Sequence, residues 1–236
     1  MTDPATSPAV PNAYRVSLAE ARQEWSRADP ASAAARGDAL LVRLPNGGVA
    51  VELAFYGRLF RVHHSPAESP THPQFLAQAQ AQAQASVTEV ATGRTASAAT
   101  EILVLHYLLT ADGALPSGEW VSFHELPYGR IYQSAFAGRS LAPLSEAFGN
   151  DREAFVRAAA SLGGEPMRLG DAAFWFRAFP RLAVAAVLWL GEDELPGAVN
   201  ILFDSAAGHY LPTEDLSAVG GMLSGRLLRA RFQGVV

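Results

Sequence analysis

The chain has 236 residues, 49% of them hydrophobic and 17% charged, with a formal net charge of −5. It contains no cysteine, and all 18 of its basic residues are arginine. This excludes disulfides, thiolate nucleophiles, cysteine-held zinc or iron–sulfur centres, lysine Schiff bases and the lysine of a phosphate loop.

Thirteen residues at the N-terminus, rich in proline, read as a disordered tail. Ser17-Leu18-Ala19-Glu20 has the pattern of a capping box, so a helix is expected from Ser17 to about Ala28. Asp29-Pro30 opens a second short helix that Gly37 ends. The apolar run Ala39–Leu44, the turn Pro45-Asn46-Gly47-Gly48, and the runs Val49–Ala54 and Arg58–His63 read as an antiparallel meander. Residues 77–85 alternate alanine and glutamine without an apolar stripe, which marks an exposed low-complexity insert. Val87–Thr92 is a weak strand. Thr100–Thr110 is apolar on nearly every face and should be a buried central helix.

Trp120–Phe123 reads as a strand, Arg130–Arg139 and Ala142–Phe148 as helical pieces broken near Pro143, and Asn150–Leu162 as a helix stopped by Gly163-Gly164. Apolar strands follow at Ala172–Phe179, Leu182–Leu190 and Asn200–Phe203, and Thr213 caps a last helix to about Arg229. Strands and helices in this irregular order predict one α+β domain over residues 14–232, a mixed or antiparallel sheet packed with helices.

Candidate site residues cluster after Gly118. On a regular strand Glu119 shares a face with Val121 and Phe123, so its carboxylate needs a partner, and Arg130 or Arg139 could supply it. His124 stands beside it as an acid–base group. Arg130, Tyr132 and Arg139 could bind a carboxylate or phosphate, and Asp204 ends an apolar strand, where α/β sites often lie. The alternative is architectural: a structural ion pair, and a Glu214-Asp215 pair that complements a helix dipole. His63 and His64 point to opposite faces of a strand and, with His72, make a poor metal set. His106, on the most apolar helix, reads as a hydrogen-bonded core residue. The acidic run Glu192-Asp193-Glu194 reads as a solvated turn. No metal and no cofactor is expected.

Four strings occur in fixed order: Leu115-Pro116-Ser117-Gly118-Glu119-Trp120-Val121-Ser122-Phe123, Glu125-Leu126-Pro127, Ile201-Leu202-Phe203-Asp204-Ser205, and Tyr210-Leu211-Pro212-Thr213-Glu214-Asp215. Phe148-Gly149, Leu162-Gly163-Gly164 and Gly170-Asp171-Ala172-Ala173-Phe174 lie between them. Together they resemble a bacterial and archaeal family, domain-of-unknown-function family 3786. The family carries no assigned catalytic residues, so the resemblance implies none here. Some relatives look fused to a cysteine-rich iron–sulfur module like those of corrinoid proteins. The resemblance therefore implies a redox or corrinoid neighbourhood, in which any cluster would belong to a partner of this cysteine-free chain.

Function is read as a small-molecule-binding or accessory domain with a pocket beside the Glu119 strand. The alternatives are an enzyme using a carboxylate and His124, and a structural subunit of a larger complex. The expected partner is a small-molecule ligand or another protein. Nucleic acid is not expected, because the mild negative charge is spread without basic runs. A membrane is not expected either, because no apolar run nears the ~20 residues of a bilayer span. The lack of a secretory leader pattern adds an expectation of cytoplasmic residence.

Overall fold

In the computed structural model, residues 12–65, 87–192 and 195–233 are described. The alanine–glutamine insert and most of the expected tail lie outside them. Helix α1 (Asn12–Arg27) begins five residues before Ser17, so the Ser17–Glu20 pattern does not mark its start. What organises α1 is its apolar stripe: Leu18, Ala21 and Trp25 recur at helical spacing and pack against the core. Helix α2 (Pro30–Arg36) is capped by the Asp29 carboxylate, which accepts from the amides of Ala31 and Ser32.

Helix α3 (Ala98–Thr110) takes its N-cap from Ser97, whose hydroxyl accepts from the Thr100 amide. It runs through the centre of the protein, with Leu103, Val104, Leu105, Tyr107 and Leu108 buried. Its one buried charge, Glu101, is held by α1: Arg22 donates Nε at 2.8 Å and Nη2 at 2.9 Å. That bidentate pairing is what makes a carboxylate tolerable in an apolar interface.

Strands β1 (Leu40–Arg43), β2 (Val49–Phe55), β3 (Arg58–His64) and β4 (Val87–Glu89) form an antiparallel meander in that order. Strands β5 (Trp120–Ser122), β6 (Glu165–Met167), β7 (Ala172–Phe179), β8 (Leu182–Trp189) and β9 (Ala198–Asp204) form a second antiparallel sheet, ordered β5-β9-β8-β7-β6. The fold is thus α+β, with two antiparallel sheets. They meet at the β2–β3 turn, where the Tyr56 amide donates to the Ala178 carbonyl at 2.9 Å. Beside this bond the rings of Phe55, Phe179 and Tyr107 stack with successive centroids 4.4 Å apart, tying both sheets to α3.

The remaining helices among the described residues are α4 (Gly129–Phe136), α5 (Ala142–Phe148), α6 (Arg152–Ser161) and α7 (Thr213–Gln233). The first three gather around α7, and α5 also covers β9. A single turn of π-helix, Ala137–Leu141, joins α4 to α5. The chain does not break near Pro143, which sits in the first turn of α5, where its missing N–H is no loss. Asp151, not Asn150, caps α6. Gly149 and Gly197 touch backbone to backbone: a Cβ on Gly197 would lie 1.8 Å from the Gly149 carbonyl oxygen. Only glycine fits there.

Candidate functional site

Helix α7 has two faces. Leu216, Val219, Leu223 and Leu227 recur every three or four residues and are fully buried. The opposite face carries Ala218, Gly221 and Gly225. Such small residues leave a trough along the helix instead of a ridge. The β2–β3 turn, the start of α3 and the π-turn wall this trough, enclosing a cavity of about 810 Å³. That volume suits a drug-sized ligand.

Tyr56 sets one wall. Its φ of +47° lies in the left-handed region that favours glycine and asparagine, and with Gly57 at φ +75° it makes the two-residue hairpin turn. A tyrosine held there is strained by about 1 kcal/mol or more. Its contacts hold it in place. The buried hydroxyl donates to the Val219 carbonyl of α7 at 2.9 Å. The Arg226 guanidinium lies over its ring, 5.0 Å from the centroid, and donates to its carbonyl at 3.2 Å.

Four arginines reach the cavity: Arg58, Arg139, Arg226 and Arg229. Arg58 is engaged, its Nε 2.6 Å from Glu89, whose carboxyl it holds down at about 2. The other three have no carboxylate partner among the described residues. Among the described residues Arg139 donates only to the Ala135 carbonyl, at 3.2 Å. Burial draws the half-buried Arg226 guanidinium below its ordinary value, and the like charges of Arg58 and Arg229 add to that. The Arg229 guanidinium folds back over Gly225: a Cβ there would lie 3.3 Å from its Nη1. At the other end of the trough stand Glu214 and Asp215. Asp215 is bound to His106 Nδ1 at 2.6 Å, which raises the histidine above its usual range. His106 is therefore half-buried at the rim of the core, hydrogen-bonded across to α7.

Of the six residues that the sequence singles out, Tyr132 and Arg139 line this cavity; Glu119, His124, Arg130 and Asp204 do not. Strand β5 stops at Ser122, so Phe123 enters a short 3₁₀ turn and the shared strand face does not extend to it. Glu119 is exposed, so its charge needs no buried partner, and it forms no ion pair among the described residues. The expected contact with Arg130 or Arg139 is not made. His124 is exposed too. Its Nδ1 lies 2.9 Å from the Ser122 hydroxyl, which also donates to Glu125. The hydroxyl stands between histidine and carboxylate, whereas a nucleophile–base relay needs the histidine in the middle. The Ser122 amide donates to the same Glu125 carboxylate at 2.7 Å, so the group is a capping box.

Asp204 is buried and fully engaged. It accepts from the Ser117 amide at 3.0 Å, the Ser117 hydroxyl at 2.9 Å, the Gly118 amide at 2.8 Å and the Ala206 amide at 2.9 Å. Two of the four distinctive strings are thereby locked together. The Thr213 hydroxyl likewise donates to the Pro127 carbonyl, joining the other two. These strings build architecture.

Sequence reasoning missed Arg58, Ser140, Arg226 and Arg229. A signal was present for the last two: glycines four residues apart inside a helix, followed by arginines at 226 and 229. His63 and His64 pack around Trp25, which donates Nε1 to the His63 carbonyl at 3.1 Å and meets the His64 ring edge-on. His72, Asp193 and Glu194 lie outside the described residues. Among the described residues no three His, Asp or Glu side chains gather to hold a metal ion, and no helix is long and apolar enough to cross a membrane.

No curated protein and no solved structure matches the chain. Residues 76–226, well over half of it, match the family model described as Domain of unknown function (DUF3786), and the chain belongs to that family.

Proposed function

We propose that this member of the DUF3786 family is a ligand-binding domain whose cavity along α7 takes a small anion with an apolar body. The observation that carries the reading is Arg226. It is a half-buried guanidinium without a carboxylate, close enough to Arg58 and Arg229 to feel their repulsion. A guanidinium drawn partly out of water beside like charges weakens a fold unless something offsets it. Strained or repulsive groups of this kind concentrate at functional sites. A bound anion offsets the charge, and Arg side chains suit planar and tetrahedral anions by their fixed fork of donors. Ile102, Leu103 and Met222 supply apolar surface for the rest of the ligand. The one-turn π-helix is a form often found at binding sites, and it carries Arg139 and Ser140 to the cavity.

Calorimetric titration with a panel of aryl carboxylates, sulfonates and phosphates tests this. At least one anionic probe should bind at low salt and weaken at high salt, as screening requires. The neutral benzyl alcohol should not bind. Arg226→Gln should lose the binding by tenfold or more while the protein stays folded, since the Tyr56 hydroxyl keeps its bond to the Val219 carbonyl and the lost contacts are offset by the removed repulsion. Equal binding by the variant, or by the neutral probe, would contradict the reading.

A further inference from the structure

We infer that the cavity seats a phosphoryl dianion, the head of a phosphate monoester, over Gly221 and Gly225 between the Ser140 hydroxyl and the Arg229 guanidinium. This rests on the anion-binding reading and goes further, by naming the class of anion and its seat.

Ser140 is the first observation. It lies on the π-turn, lines the cavity and is only 2% exposed. Its backbone carbonyl accepts from the Ser224 hydroxyl, but its own Oγ has no hydrogen-bond partner among the described residues. The residue is buried, yet this hydroxyl is not among the fully enclosed atoms that lack a partner, so it opens on the cavity and is free to donate there. It sits over the trough floor: a Cβ on Gly221 would lie 3.3 Å from it.

The second observation is the matching position one helical turn on. The Arg229 guanidinium covers Gly225 as the Ser140 hydroxyl covers Gly221. The two glycines are ~6 Å apart along the helix axis. A tetrahedral oxyanion between them can accept from the hydroxyl with one oxygen and from the guanidinium fork with others, each at an ordinary hydrogen-bond length of about 2.8 Å. Any side chain at 221 or 225 would intrude on this floor.

Charge gives the third. Six charged residues line the cavity, four arginines and two acids. Arg58 is matched by Glu89 and Asp215 by His106. Three arginines remain against Glu214; with His106 protonated and balancing Asp215, three minus one leaves a surplus of two positive charges. A phosphate monoester near neutral pH carries about −1.5 to −2. A carboxylate or sulfonate carries one charge and leaves the surplus half unmet.

Isothermal titration with phenyl phosphate, benzenesulfonate, benzoate and inorganic phosphate tests the seat on the full-length chain. Phenyl phosphate should bind at least tenfold more tightly than each of the other three. Ser140→Ala removes no bond within the protein, and Gly225→Ala displaces only the flexible end of Arg229. Each should keep the melting temperature and lose tenfold or more in phenyl phosphate affinity, with benzoate affinity little changed. Benzoate or benzenesulfonate binding as tightly as phenyl phosphate would overturn the dianion seat and leave the anion-binding reading standing. So would full affinity in both variants. Inorganic phosphate binding as tightly as phenyl phosphate would overturn the ester. No binding by any probe would overturn both.

Discussion

Arg226 and Tyr56 are 170 residues apart in the chain, yet each fixes the other. Tyr56 keeps a left-handed backbone conformation because its hydroxyl, ring and carbonyl all meet α7. Arg226 is aimed by that ring before any ligand arrives, and preorganisation of this kind lowers the cost of binding. His106 shows the same long-range coupling at the acidic end. Asp215, helped by Glu24 and Glu214, favours its protonated form and raises it above the ordinary value near 6.5. A group whose folded value is raised stabilises the fold fully below its unfolded value and loses that contribution as pH climbs through the folded one. Asp215→Asn should therefore lower the melting temperature most below about pH 6.5, and the gap to the wild type should close as the pH rises past it. A gap that widens with pH would contradict the assigned pair.

At the scale of elements, α3 carries the centre of the fold. Leu105 is fully buried on it, so Leu105→Ala should cost about 2–5 kcal/mol in denaturant unfolding. A loss below about 1 kcal/mol would mean that the site collapses around the gap or is less tightly packed than it stands here. This helix was legible in the sequence because Thr100–Thr110 is apolar on nearly every face, and such a run is stable only when buried. The β2–β3 hairpin was legible from the two apolar runs Val49–Ala54 and Arg58–His63, which follow one another closely enough to pair. The start of α1 was not, because the apolar stripe of Leu18, Ala21 and Trp25 gains more from packing than a cap at Ser17 does. The end of β5 was missed although Ser122 and Glu125 have capping-box spacing, since the apolar Phe123 reads locally as one more strand residue. The short β6 was missed because Glu165-Pro166-Met167 lacks any strand pattern; it exists by pairing with β7.

The candidate site was legible only in part, for a reason that belongs to the whole molecule. Tyr132 and Arg139 stand out in sequence as polar groups on a helical piece. Arg58, Ser140, Arg226 and Arg229 become neighbours only when the two sheets and α7 pack, and no local pattern records that. The strings that identify the family, by contrast, are short-range locks: Asp204 on Ser117 and Gly118, Thr213 on Pro127. Their conspicuous polar residues lie around β5, whereas the unmatched arginines line the cavity along α7. A crystal structure of the protein with saturating phenyl phosphate measures the location directly. Density for the phosphoryl group should lie over Gly221 and Gly225, in contact with Arg229 and within reach of Arg226. Ordered probe beside Glu119 and His124, with the trough along α7 empty, would contradict the account.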